Sequence, residues 1–98
     1  MTITTKMNGT SLDVALVGRL DTETAPKLEK ELSGKLNGVE ELTLDLKDLE
    51  YISSAGLRVL LATYRSMSSK GRMKVINANE IVREVFAVTG FTEILTIE

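Results

Sequence analysis

Residues 42–61 read LTLDLKDLEYISSAGLRVLL, and their hydrophobic period changes half-way along. The first part alternates, with leucine at Leu42, Leu44 and Leu46, which is typical of a strand with one buried face. The last part follows the spacing of one helical stripe, formed by Leu57, Leu60, Leu61 and Tyr64. The segment therefore predicts a strand, a short loop and a helix.

Two serines, Ser53 and Ser54, stand where this helix begins. The first N–H groups of a helix have no partner within the helix, and a serine hydroxyl commonly accepts a hydrogen bond from one of them. The same N–H groups and the positive end of the helix dipole favour a phosphate. The pattern is thus consistent with a helix cap and with a phosphorylation site.

The segment DLEYISSAGLRVLL, residues 48–61, resembles the signature of the STAS domain family, whose best-known small members are bacterial anti-sigma factor antagonists. In those proteins the unmodified form binds an anti-sigma factor that is itself a serine kinase. Phosphorylation releases it, and a serine phosphatase restores the unmodified form. The resemblance therefore implies a partner-switching regulator of transcription, with no enzymatic activity and no cofactor of its own.

The family loop typically reads Asp-Ser-Ser/Thr-Gly-Leu, and the serine after the aspartate is phosphorylated. Alignment on Gly56 and Leu57 places that serine at Ser54. Ser53 then stands at the position of the family aspartate, and Ala55 at that of the second hydroxyl. The resemblance implies Ser54 as the phosphorylation site, with Ser53 as the second choice.

A second match is the segment Gly18-Arg19-Leu20-Asp21, which fits the Gly-x-Leu-Asp loop that small STAS proteins place near the serine. From the residues alone, Gly18 is expected to end a strand, and Asp21 is equally consistent with a helix cap. Arg58, one turn beyond Ser54, is expected to be exposed and is either an ordinary surface residue or a partner of a phosphate or an acidic group. The resemblance implies a partner-binding surface formed by Gly18, Leu20, Asp21, Ser53, Ser54, Gly56, Leu57 and Arg58.

The element order is predicted as β-β-α-β-α-β-α-β. Strands that alternate with helices indicate a parallel sheet, and the first strand adds an antiparallel edge through a hairpin at Asn8-Gly9. The fold class is therefore α/β: one STAS-like domain over residues 1–98, with a mixed, mostly parallel sheet of four to five strands and about three helices.

The helix boundaries follow from apolar stripes and from glycine. The first helix is predicted over residues 22–37, with Gly34 in its interior, and the second from Ser54 to Ser69, with Gly71 as its C-cap. The first helix should bury Ala25, Leu28, Leu32 and Leu36. Asn79 should cap the third helix and Gly90 should end it. Its inward-facing residues should be Ile81, Val82, Val85, Phe86 and Val88.

Composition excludes several functions. The chain has 12 basic and 14 acidic residues and a net charge of −2, without the basic excess of nucleic-acid binders. It contains no cysteine and no histidine, which excludes disulfides, thiol catalysis, a Ser-His-Asp triad and histidine-ligated zinc. No apolar run suggests a signal sequence or membrane insertion, so a cytoplasmic location is expected.

A rival function follows from other STAS domains. These serve as subunits of transport, lipid-trafficking or sensory assemblies and bind a protein partner or a small ligand without a phosphorylation switch. An apolar pocket between sheet and helices would favour this alternative.

Overall fold

The computed structural model describes residues 1–98 and contains five strands and three α-helices. Their order matches the prediction, with one additional 3-10 turn before the last strand. The elements are β1 Thr2–Asn8, β2 Ser11–Leu20, α1 Ala25–Ser33, β3 Glu41–Ile52, α2 Ser54–Ser68, β4 Arg72–Ile76, α3 Glu80–Thr89, the 3-10 turn Phe91–Glu93 and β5 Thr96–Ile97.

The five strands form one sheet in the order β1-β2-β3-β4-β5. Strand β1 is antiparallel to β2, whereas β2 to β5 are mutually parallel neighbours. Each parallel connection contains a helix, as a chain that must return to the same end of a sheet requires. The predicted mixed, mostly parallel sheet is confirmed.

Only one face of the sheet is buried. Along β2, β3 and β4 the buried positions alternate with exposed or half-buried ones. The opposite face carries mostly short, polar and charged side chains, together with Val17, which is 42% exposed, and Ile76. It is solvated, a condition more usual in antiparallel sheets. The buried face is formed by Leu12, Val14, Leu16, Leu42, Leu44, Leu46, Met73 and Val75. We name the opposite, solvated face the bare face.

Strand β3 runs six residues beyond the Leu46 end that its alternation predicts, to Ile52. Its register against β2 shifts twice, between Ala15 and Val17 and between Gly18 and Arg19 of β2. At each register shift β3 contains one more residue than β2. Successive buried side chains of β3 are therefore three residues apart there instead of two. The buried side chains Leu46, Leu49 and Ile52 follow this longer spacing, so the pattern no longer resembled a strand.

Two predictions for the first hairpin and β2 were wrong. Asn8 pairs with Ser11, so the two-residue loop is Gly9-Thr10 and not Asn8-Gly9, and Gly9 has a φ of +65°. Gly18 does not end β2 but lies inside it with a φ of +109°, at the second register shift. A glycine allows the backbone to take this conformation without ending the strand.

Helix α1 is shorter than predicted. Residues 22–24 form a turn before it, and Gly34 is its C-cap rather than an interior residue. Gly71 is not the C-cap of α2, since Ser69 holds that position. A Cβ atom on Gly71 would overlap the carbonyl oxygen of Glu40, so glycine is required there by close backbone approach. All four predicted apolar residues of the first helical segment are buried: Ala25, Leu28, Leu32 and Leu36.

The inward face of α3 is narrower than predicted. Val82 and Phe86 are fully buried, but Ile81 is 60% exposed and Val88 is 78% exposed. Helix α3 packs mainly against β3 and the 3-10 turn, and this narrow support fully buries only Val82 and Phe86. The predicted caps at Asn79 and Gly90 are confirmed.

The buried face of α2 is also rotated from the predicted stripe. Leu57 and Leu60 are buried, but Leu61 and Tyr64 are only partly buried, and Val59 and Thr63 lie inside instead. The Thr63 hydroxyl donates to the Val59 carbonyl at 2.7 Å, which satisfies it in the core. None of the helices has the length and apolar character needed to cross a membrane.

Candidate partner-binding site

The two segments singled out by sequence meet at the carboxyl ends of β2 and β3. Leu20 pairs with Ile52 in the parallel register, and the Ser53 N–H donates to the Leu20 carbonyl at 2.9 Å. Parallel strands end at the same edge of a sheet, so the loops that follow them are neighbours. The loop before α1 and the start of α2 therefore form one surface.

The structure separates the roles of the two serines. Ser53 has an extended backbone and is the N-cap of α2, and its Oγ accepts a hydrogen bond from the Gly56 N–H at 3.4 Å. Ser54 is the first residue of the helix, its side chain is exposed, and its hydroxyl makes no hydrogen bond to the protein. The cap is thus supplied by Ser53, which leaves the Ser54 hydroxyl free for an external group.

Asp21 closes the turn that precedes α1. Its Oδ1 accepts hydrogen bonds from the N–H groups of Glu23 at 3.0 Å and Thr24 at 3.1 Å. Thr24, the N-cap residue of α1, makes no side-chain cap of that helix. Asp21 therefore has a local structural role as the cap of the turn. The Thr24 N–H bond is the main reason that the pKa of Asp21 lies below its ordinary value of 3.8, although partial burial acts in the opposite direction.

This lowered pKa predicts a pH-dependent contribution to stability. The folded state holds the Asp21 proton less tightly than the unfolded state, so stabilisation is complete above the ordinary pKa and is lost as the pH falls through the lowered one. Urea unfolding of the wild type and Asp21→Asn should therefore differ more at pH 6 than at pH 3. An equal difference at both pH values would contradict the assignment, since asparagine keeps the acceptor oxygen and removes only the charge.

An arginine that sequence reasoning did not select also faces this edge. The Arg19 guanidinium lies over the Tyr51 ring, 4.6 Å from its centroid, and both residues are exposed. The two are direct partners in the β2–β3 register. A cation–π contact of this kind holds the guanidinium in place at low cost. Its only signal in the sequence is its position as the variable residue of Gly18-x-Leu20-Asp21.

Three residues assigned to the partner surface lie in the core instead. Leu20 has no exposed surface, Leu57 is 7% exposed, and Gly56 is buried. A Cβ atom on Gly56 would lie 2.6 Å from Cγ of Leu20 and 3.0 Å from Cγ1 of Ile52. Gly56 thus lets the first turn of α2 rest on these two side chains. Leu20, Gly56 and Leu57 are thus less accessible than the other residues assigned to the partner surface, and their part in binding stays a prediction.

The remaining assigned residues are accessible to different degrees. Arg58 is exposed, as predicted, whereas Gly18, Asp21 and Ser53 are half-buried. Ser54 and Arg58 are four residues apart in α2 and so lie on the same side of the helix, one turn from each other. The accessible part of the surface is therefore dominated by a free hydroxyl and a nearby cation.

A cavity lies at the other end of the molecule from this surface. It measures about 480 Å³ and is lined by the amino-terminal residues of β3 and β4 and by the last turns of α2. Four of its twelve lining residues are apolar, and its rim includes the ion pair between Arg72 and Glu41 at 3.5 Å. This is not the apolar pocket that would favour the ligand-binding alternative.

Comparison with known families agrees with this architecture. A family model described as "Mlab, STAS domain" matches residues 3–96. This chain belongs to the STAS domain family. Among the relatives of this STAS domain, BtrV of Bordetella bronchiseptica, named as a candidate anti-sigma factor antagonist, is 36% identical over 88 residues, which are 88% of this chain and 76% of BtrV. The anti-sigma-B factor antagonist of Bacillus subtilis is 30% identical over 93 residues, which are 94% of this chain and 85% of that protein.

Solved structures show the same fold. An anti-sigma factor antagonist from Mycobacterium paratuberculosis superimposes with a TM-score of 0.90 at 25% identity, over 98% of this STAS domain and 83% of that chain. The antagonist SpoIIAA superimposes with a TM-score of 0.78 in both its unphosphorylated and its phosphorylated form, at 18% and 19% identity. These matches cover 99% of this chain and 87% and 91% of the SpoIIAA chains.

Proposed function

We propose that this STAS domain is an anti-sigma factor antagonist that binds an anti-sigma factor when Ser54 is unmodified and is released when Ser54 is phosphorylated. The observation that carries the proposal is the exposed Ser54 hydroxyl, which has no hydrogen-bond partner in the first turn of α2. Ser53 caps the helix, so modification of Ser54 removes no bond on which the fold depends. The names of the relatives support the choice of partner.

The size of the charge change is sufficient for a switch. A phosphoserine adds about −1.5 to −2 charges at pH 7. On a partner surface that fits a neutral hydroxyl, this charge must be desolvated and meets any acidic group nearby. A difference of about 1.4 kcal/mol already changes affinity tenfold, so a few kcal/mol are enough to release the complex.

The switch is expected to act at the interface and not by refolding. A phosphate at the start of a helix lies close to free N–H groups and to the positive end of the helix dipole, which favour it. The proposed cycle needs an anti-sigma factor with serine kinase activity and a serine phosphatase, and this domain supplies only the acceptor.

Phosphosite mapping by mass spectrometry tests the proposal. The protein is isolated from its own cells in growing and in stressed cultures, and the occupancy of Ser54 and Ser53 is measured separately. We expect phosphate on Ser54 whose occupancy changes with condition. Ser54 unmodified in every condition would contradict the switch, and phosphate on Ser53 alone would contradict the assignment of Ser54 as the acceptor.

A further inference from the structure

A groove runs between α1 and α2 and begins beside Ser54. Its volume is about 430 Å³, and it is open to solvent along its length. The floor consists of apolar side chains from both helices, and most of them are short: Ala25, Ala55, Val59, Leu61 and Ala62. Side chains of this size leave room for another structural element to lie close to the two helices.

The α2 side of the groove carries two arginines, Arg58 and Arg65. They are seven residues apart, which is two turns and about 10 Å along the helix axis. Both are exposed, and neither forms an ion pair, whereas Lys35, Arg72 and Lys74 are each paired with a glutamate. The groove is therefore a positive strip on a chain whose net charge is −2. One carboxylate, that of Glu29, stands on the α1 side.

We infer that this groove binds a helix of the anti-sigma factor that presents two carboxylates, two turns apart, to Arg58 and Arg65. The inference rests on the proposed function and names the chemistry of its partner. A small apolar face of that helix would lie over the alanines of the floor. A basic or polar residue of that helix would face Glu29 across the groove.

The direction of the phosphorylation switch requires an acidic occupant. Ser54 lies one turn before Arg58 on the same side of α2, so a phosphate on Ser54 is within reach of the Arg58 side chain. It would repel the partner's nearest carboxylate and neutralise the arginine that binds this carboxylate. A basic occupant would be attracted by the same phosphate and would be held instead of released.

Charge reversal in the groove tests the inference. The anti-sigma factor that co-purifies with this STAS domain is expressed and purified alone, and its affinity is measured by titration calorimetry for Arg58→Glu/Arg65→Glu. The matched control is Lys30→Glu/Lys70→Glu, which makes the same change in net charge at two exposed lysines outside the groove that form no ion pair. We expect the groove variant to lose about tenfold or more in affinity and the control to stay within about twofold.

Salt dependence and a milder variant make the test specific. Affinity of the wild type should fall as salt is raised, and the dependence should be weaker in Arg58→Gln/Arg65→Gln, which removes the charges without reversing them. If the groove variants bind like the control while Ser54→Asp binds weakly, the groove inference is overturned and the proposed function stands. If Ser54→Asp binds as tightly as the wild type, the proposed function itself fails.

Discussion

Ser54→Asp is expected to weaken binding to the anti-sigma factor by at least about tenfold, a loss of about 1.4 kcal/mol. The carboxylate places a negative charge at the exposed position of Ser54, where the proposed function puts the contact with the partner. A phosphate carries up to about twice this charge, so phosphorylated protein should bind more weakly still. Titration calorimetry with the purified anti-sigma factor measures the affinity of Ser54→Asp and that of the phosphorylated protein.

Ser54→Asp should bind more weakly than the wild type without being less stable. An acidic residue in the first turn of a helix interacts favourably with the helix dipole, by about 0.3–1 kcal/mol, so the midpoint of thermal unfolding should stay or rise. Ser54→Ala, which keeps the neutral surface, should retain binding. Thr92→Asp, exposed in the 3-10 turn at the opposite end of the molecule, is the charge control. Equal affinity of Ser54→Asp and wild type would contradict the charge switch.

Gly56→Ala is expected to destabilise the fold by about 1–3 kcal/mol, the usual cost of overpacking a core. The new Cβ atom would lie 2.6 Å from Cγ and 2.9 Å from Cδ2 of Leu20, a side chain with no exposed surface and no free space to enter. Either Leu20 or the first turn of α2 must move. Urea unfolding followed by circular dichroism measures the loss.

Two further variants isolate this cause. Gly34→Ala changes a glycine of helical φ whose Cβ atom would be no closer than 3.7 Å to its neighbours, so it should be neutral or stabilising by about 0.4–1 kcal/mol. Leu20→Ala alone should cost about 2–5 kcal/mol. The double variant Gly56→Ala/Leu20→Ala should lose less free energy of unfolding than the two single variants lose in total. The reason is that Leu20→Ala removes the side-chain atoms with which the new Cβ atom clashes. Strict additivity would exclude the clash as the mechanism.

The sequence predicted the sheet and its helices because most of their apolar residues follow one clear period. The alternation of Leu42, Leu44 and Leu46 was enough for a strand, but not for its length. The register shifts that carry β3 on to Ile52 depend on pairing with β2, and such pairing has no local signal. Gly18 was misread for the same reason, since a glycine inside a bulged strand and a glycine that ends a strand look alike in sequence.

Burial was predicted less well than secondary structure. An apolar stripe shows that a helix has an inner face, but the width of that face depends on how much sheet lies beneath it. Ile81 and Val88 were therefore predicted to be buried, although α3 packs mainly against one strand and the 3-10 turn and leaves both side chains exposed. At the site, the motif included Gly56 and Leu57 but did not show that they are buried, because a family signature contains core residues and surface residues together.

Which of the two serines caps α2 could not be predicted from the sequence. Either hydroxyl could cap α2 by spacing alone, and the choice depends on which residue has the extended backbone of an N-cap. Ser53 has it, with φ −99° and ψ 176°. Arg19 was missed because its significance comes from its neighbour across the sheet, Tyr51, and not from its own segment.

The bare face of the sheet offers a practical route to these measurements. Thr4 lies exposed in the edge strand β1, and its register partner Ala15 belongs to the side of the sheet opposite the buried leucines. The chain has no cysteine, so Thr4→Cys would create a unique thiol. A fluorophore or a surface tether attached there would leave the loop before α1 and the start of α2 unobstructed. Association and release could then be followed in real time on one uniformly oriented population of molecules.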